Sequence, residues 1–281
     1  MDFEDVAFPS QDGVPLKGWF IPAAGPGPGP AIVFVHGWPW CRMGNQQNDR
    51  FGDLPGGKPV HLMPLARAYH DAGYNVLMFD MSGFGDSGRR RVYTSGWLEA
   101  RDVLGALDFL GRRADVDPDR MGAIGFSVGG AVLCYAMPHT TRLRAAIAVQ
   151  PSTPEVFSTN YGRDKFGQFG KLINAGSAFF YGIFGGPNLS FLQPTLVAPG
   201  ARDVPVLYVQ STGDRWGTRE DVARMAAATP RGEAIYPETT HRFDGYTYMV
   251  EHPEVSLGFF GTHMAPRAPK LDAAGAAQQA A

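Results

Sequence analysis

The stretch Gly125-Phe126-Ser127-Val128-Gly129-Gly130 constrains the fold more than any other part of the chain. A short apolar run, Met121 to Ile124, leads into it, and a longer one, Val128 to Met137, leaves it and is closed by Pro138. The first run has the length of a buried strand. The second has the length of a helix and is apolar all round, so it reads as a buried helix. Strand, sharp turn and helix with a serine at the corner is the G-x-S-x-G pattern of a nucleophile elbow. Glycines suit positions 125 and 129 because strand and helix approach too closely there for side chains. The positive end of the helix dipole beside Ser127 would favour a developing oxyanion. A plain capping serine in a glycine-rich turn is the alternative, so partners for the hydroxyl must be sought elsewhere.

The rest of the chain supplies a sheet for this corner. Phe3 to Phe8 and Leu16 to Ile21 read as antiparallel strands joined by a turn at Asp12-Gly13. The Gly/Pro-rich run 23–30 reads as an exposed loop. Ala31 to Val35 and Asn75 to Asp80 are continuous apolar strands of the kind covered on both faces. Further strands fall at Ala145 to Val149, Pro205 to Gln210 and Glu233 to Tyr236, and Asp115 to Asp119 reads as a turn into the strand before the elbow. Helices fit Leu62 to Ala72, Trp97 to Gly111, Arg219 to Ala228 and Pro253 to Met264. Strand and helix alternate without a repeat or a mid-chain linker. The expected fold is therefore α/β, a doubly wound and mostly parallel sheet forming one domain over residues 1–264, with a disordered tail over 265–281.

One segment breaks the alternation. Between Val149 and Pro205 the chain is far longer than an ordinary loop and carries Phe157, Tyr161, Phe166, Phe169, Phe179, Phe180, Tyr181, Phe184 and Phe191. A small helical cap over about 151–200 would bury these aromatics above the carboxyl edge of the sheet. On that reading Phe179, Phe180 and Phe184 line a substrate pocket. A surface between copies of the chain is the alternative, and a homo-oligomer stays open.

Composition narrows the partners. Net charge is −2, and the basic residues cluster only at Arg89-Arg90-Arg91, which argues against a nucleic-acid face. No apolar run approaches the 18 residues of a membrane span. The acidic start lacks a secretory n-region and h-region, so the expected location is cytoplasmic. Two cysteines make no disulfide framework, and Cys134 reads as a small buried apolar residue. The seven histidines show no metal-binding spacing, so no metal is expected. Gly83 to Gly88 is glycine-punctuated but lacks the lysine and spacing of a phosphate loop.

A serine nucleophile needs a base and an orienting acid. In open parallel sheets such groups stand just beyond the carboxyl ends of strands. Asp214 follows the strand ending at Gln210, and His241 follows the last strand; Ser127, Asp214, His241 is the chain order of hydrolases with a nucleophile elbow. Glu155 is the competing acid. His36 reads as shaping the turn at Gly37, while His61, His70 and His139 read as solvated. Oxyanion donors are expected from the backbone N–H groups of Val128 and Trp38, with Trp38, Trp40 and Phe51 walling the acyl side of the pocket.

Taken together, His36-Gly37, Asp80 with Gly83-Phe84-Gly85 and Ser87, the 125–130 elbow, Gly213-Asp214 and His241 resemble the α/β-hydrolase superfamily over residues 14 to 264. The nearest flavour is the small serine esterases and dienelactone-hydrolase-like members. The resemblance implies Ser127 as nucleophile, Asp214 as acid, His241 as base and no cofactor, acting on a small-molecule ester or related acyl substrate. Peptidase, thioesterase, lactonase and carbon–carbon hydrolase activities share that chemistry. A non-catalytic binding protein on the same fold is the reading from another class. Departures from the pattern are the long loop after His36-Gly37 and Thr239-Thr240 before His241, where many members have a glycine.

Overall fold

The computed structural model describes residues 1–46 and 57–265. Phe51 and nearly all of the 265–281 tail lie outside the described residues. Eight strands form one sheet: β1 (Glu4–Pro9), β2 (Pro15–Ile21), β3 (Gly29–Val35), β4 (Asn75–Phe79), β5 (Val116–Phe126), β6 (Leu143–Val149), β7 (Val206–Val209) and β8 (Gly232–Ile235). Their spatial order is β1-β2-β4-β3-β5-β6-β7-β8. β2 is antiparallel to both its neighbours, and every pairing from β4 to β8 is parallel. Gly13, at φ 85, makes the β1–β2 turn.

Because side chains alternate along a strand, each central strand feeds two cores. In β3, Ala31, Val33 and Val35 pack on one face with helices α2 (Ala100–Leu110), α3 (Val128–Ala136) and α7 (Arg219–Ala228). Ile32 and Phe34 pack on the other with α1 (Met63–Asp71), α8 (Arg242–Glu251) and α9 (Pro253–His263). This is a doubly wound sheet, as expected. Two local expectations are corrected. Residues 115–119 do not form a simple turn: Val116 already pairs with Gly29, and a bulge absorbs the residues before Met121 pairs with Ala31. Helix α8 also begins directly after His241, where no helix was expected.

The segment between β6 and β7 folds into helices, chiefly α4 (Pro154–Phe166) and α5 (Gly170–Ile183), followed by the short α6 (Pro194–Val197). A Cβ on Gly170 would collide with the Gly162 backbone carbonyl, so the two long helices touch backbone to backbone there. Asn174 Nδ2 donates to the Ser158 carbonyl at 2.6 Å across the same hairpin. The cap is moored at its start: Asp221 of α7 accepts from the Thr153 N–H at 2.8 Å and from its hydroxyl at 2.9 Å. Phe157 and Tyr161 of α4 then pack on Trp216, Tyr161 at 4.9 Å between ring centroids.

Candidate active site

Sheet register assembles the site. Val35 of β3 faces Gly125 of β5, and Phe126 faces Val149 of β6, so the residues just beyond these three strands meet at one edge. Ser127 stands there at φ 54, in the left-handed region that non-glycine residues seldom occupy. Its N–H donates to the Val149 carbonyl at 2.8 Å, which holds the corner to the neighbouring strand. A Cβ on Gly125 would meet the Gly129 backbone, and one on Gly129 would meet the Val35 carbonyl. Both glycines are therefore required by close approach. A Cβ on Gly37 would come within 3.2 Å of the Ser127 Cβ, so the loop after β3 passes directly beside the serine.

Ser127 opens onto a cavity of about 230 Å³. Trp38 and Trp40 wall one side, with Val128 and Ser127 beneath. Trp40 is buried and packs edge-on against Tyr246 of α8 at 5.0 Å. The cap contributes Phe157, Ser158 and Leu189. Phe179, Phe180 and Phe184 are elsewhere: they are 65%, 60% and 71% exposed and take no part in the wall. The reason is geometric. Helix α5 packs on α4 through Gly170 and Asn174 and on the body through Tyr181, whose hydroxyl donates to the Tyr93 carbonyl at 2.6 Å, and this turns the phenylalanines outward. Glu155 is an exposed residue of the first turn of α4 and does not reach the cavity.

Asp214 is buried beyond the end of β7. Its carboxylate accepts from the N–H of Trp216 at 2.9 Å, the N–H of Gly217 at 3.0 Å and Gln210 Nε2 at 3.0 Å. Its remaining partner is Arg242 Nη1, in a buried ion pair. Arg242 Nη2 donates onward to Ser127 Oγ at 3.2 Å. The guanidinium thus stands between acid and serine. Burial opposes its charge, but the adjacent Asp214 outweighs this and holds the Arg242 pKa above its ordinary value. The rings of Phe157, Trp216 and Tyr246 surround it at 5.4, 5.7 and 5.4 Å.

His241 lies next to this pair without joining it. It caps α8; its Nδ1 accepts from the Phe243 N–H at 3.3 Å, and its ring lies along Phe243. It does not line the cavity, and neither Ser127 nor Asp214 is hydrogen-bonded to it. Its backbone nevertheless abuts Gly213, the neighbour of Asp214, where an added Cβ would clash with the His241 N–H. The structure brings Ser127, Asp214, Trp38, Trp40 and Val128 together and leaves the His241 imidazole turned away. Arg242, Phe157 and Tyr246 are the site residues that sequence reasoning missed. The one available signal was the Phe243, Tyr246, Met249 spacing, which marks a helix starting at Arg242.

Two neighbouring loops are fixed by Asp80. Its carboxylate accepts from the Arg42 N–H at 2.7 Å, Arg42 Nη1 at 2.6 Å and the Asp86 N–H at 3.0 Å. Gly85, at φ 47, must be glycine because a Cβ would strike that carboxylate. The 83–88 loop therefore wraps an internal anion. His36 is buried beside it: Nδ1–H donates to the Gly37 carbonyl at 2.7 Å, and Nε2 accepts from the Met81 N–H at 2.9 Å. Acceptance at Nε2 requires the neutral ring, and burial lowers its pKa. Among the described residues, no cluster of three His, Cys, Asp or Glu side chains could hold a metal, and no helix is long and apolar enough to cross a membrane.

Comparison with known proteins agrees with the fold. The model of the "Alpha/beta hydrolase family" matches residues 32–258, well over half of the chain. The chain belongs to that family. It is 33% identical over 139 residues to the uncharacterized protein YfhR of Salmonella typhimurium, covering 48% of this chain and 41% of that one. It is 29% identical over 132 residues to the putative hydrolase YtaP of Bacillus subtilis, covering 43% of each. The matched stretch is thus less than half the length of these relatives. Among solved structures, the esterase Pf2001 of Pyrococcus furiosus superposes with a TM-score of 0.68 at 19% identity, covering 94% of this chain and 93% of that one. The acylaminoacyl peptidase of Pyrococcus horikoshii gives 0.65 at 18% identity, covering 96% and 43%. At such identities these two likenesses speak for the fold alone.

Proposed function

We propose that this hydrolase cleaves a carboxylic ester through an acyl-enzyme on Ser127. The observation that carries the reading is the left-handed corner at Ser127, which aims its hydroxyl at an apolar cavity two strand-ends away from a buried carboxylate. Oxyanion donors are the N–H groups of Val128 and Trp38, on the two segments that converge beside the serine. Asp214 is the orienting acid and His241 the base. For them to meet, Arg242 releases the carboxylate and the imidazole turns inward over Gly213, so the arrangement described above is a resting one. In that resting arrangement the serine oxygen accepts from a cation, and none of the described residues is hydrogen-bonded to it as a base. The cavity is small and apolar, which suits a short acyl group or a compact leaving group.

Ser127→Ala should fold as the wild type does and lose about three to six orders of magnitude of p-nitrophenyl acetate or butyrate turnover. A serine-directed phosphonate should label Ser127, and labelling at Ser82 or Ser87 would overturn the assignment. The Arg242–Asp214 pair favours one other reading, a protein that binds a ligand in the cavity without turning it over. Absence of turnover across the ester panel, together with absence of labelling, would select it.

A further inference from the structure

Helix α5 leaves a stripe of large apolar side chains in solvent. Phe169 at its N-cap, then Leu172, Ile173, Phe179, Phe180 and Ile183, are between 38% and 74% exposed. They recur at steps of three and four residues, so they share one face of the helix. That face is distinct from the one on which Gly170, Asn174 and Tyr181 meet α4 and the body. At about 200 Å² for a whole side chain, the exposed parts of these three phenylalanines and of neighbouring Phe184 come to about 500 Å². Leu172, Ile173 and Ile183 raise the patch toward the roughly 800 Å² that one partner buries in a standard interface. A monomer ordinarily leaves a smaller apolar patch in water.

The order of residues along the stripe says what covers it. A contact between two copies about a two-fold axis is isologous, so what lies a given distance before the axis must fit what lies the same distance after it. With the axis at Gly176 and the helices antiparallel, Leu172 meets Phe180, Ile173 meets Phe179, Phe169 meets Ile183, and Gly176 meets its own copy. Every pairing is apolar. A glycine inside a helix costs about 1 kcal/mol relative to alanine. Among the described residues nothing lies within 4 Å of where a Gly176 Cβ would stand, so packing within the chain does not require it. A second helix crossing closely at that point does. A lipid surface fits the stripe less well: helices that lie in a bilayer interface carry lysine or arginine along their polar face. Here Lys171 is the only charged residue between Lys165 and Arg202. We propose that the chain forms a two-fold symmetric dimer in which α5 pairs antiparallel with α5 of a second copy, the axis passing beside Gly176. Pairing depends on concentration, so the dilute chain is a monomer with α5 in solvent.

Sedimentation equilibrium of the full chain across a concentration series tests this. A monomer–dimer equilibrium with a dissociation constant in the micromolar range is expected. Leu172→Glu and Phe180→Lys should each weaken it about tenfold or more, because each sets a charge against an apolar partner. Both side chains lie in solvent in the single chain, so thermal melts of the dilute variants should match the wild type. Combined in one chain, the two charges face each other across the axis, and the double variant should pair more tightly than either single one. Gly176→Cys should give a disulfide-linked dimer on mild oxidation, and Ala178→Cys, on another face of the helix, should not. A chain that stays monomeric throughout would overturn the proposal, and so would a dimer indifferent to both single substitutions. A double variant weaker than both, or cross-linking at 178 in preference to 176, would overturn the antiparallel register about Gly176. Flotation with phosphatidylcholine and phosphatidylglycerol vesicles separates the other occupant. A monomer that floats, and floats less after Leu172→Glu, would assign the face to a lipid surface instead.

Discussion

Phe126 ends β5 with none of its surface exposed, whereas Phe180, on α5, leaves 60% of its surface in solvent. Both belong to stretches dense in apolar residues, and composition alone does not separate them. The difference lies in how many sides of an element are covered. A central strand has a helical layer above and below, so every side chain finds a core. A helical hairpin laid on the rim of a domain has one covered side, and a helix apolar all round must then leave part of itself outside. In α5 the covered stripe is taken by Gly170, Asn174 and Tyr181, and the larger apolar side chains face away. Density of aromatics marks a segment as folded; it does not say which way they point.

Paired substitutions sharpen the contrast. Phe126→Ala should cost about 3–5 kcal/mol of unfolding free energy. Phe180→Ala should stay within about 0.5 kcal/mol. Urea denaturation of the two would measure the gap, and a costly Phe180→Ala would mean that α5 is covered in solution. Glycines make a second pair. Gly129→Ala drives a methyl group into a backbone carbonyl that cannot yield, and should cost about 1–3 kcal/mol. Gly176→Ala, in α5 with open space around it, should instead stabilise the helix by about 0.5–1 kcal/mol.

The cap has an inward side as well. If Phe157 shapes the cavity, Phe157→Ala should move the preferred acyl length, read as kcat/KM across a p-nitrophenyl ester series, by a factor worth about 1–3 kcal/mol. Phe180→Ala should leave the series unchanged. The smallest effect concerns pH. His36 is held neutral by burial, with its folded pKa below the ordinary value. As pH falls through about 6.5, the unfolded chain takes up a proton that the folded chain refuses, so stability is full above that point and declines below it. Residues 140–240 contain no histidine, so this loss belongs to the sheet and not to the cap. Melting temperature should therefore fall between neutral and mildly acidic pH, and His36→Asn should flatten that slope.

The strands were legible because continuous apolar runs of strand length have few other homes. Register then carries Ser127 and Asp214 to the same edge once the strands are placed. Arg242 was not legible. A charged residue in the first turn of a helix ordinarily faces water, and only the approach of Asp214, 28 positions earlier in the chain, makes its burial feasible. Helix α8 escaped notice because its large buried apolar residues, Phe243, Tyr246 and Met249, alternate with charged and polar ones immediately after His241, which reads only as following the last strand. The outward turn of Phe179, Phe180 and Phe184 follows from helix packing, which no local pattern of residues encodes.

The left-handed backbone at Ser127 also limits which reactive side chain can ever stand at this corner. At φ 54 a β-branched residue crowds its own backbone, so threonine, although it carries the same hydroxyl, is poorly accommodated. Serine, cysteine and aspartate are unbranched at Cβ and can take the position without reshaping the turn. The choice of attacking atom is therefore restricted first by a backbone angle and only afterwards by the substrate. Exchange among oxygen, sulfur and carboxylate nucleophiles lies within reach of this scaffold, while a single added methyl group does not.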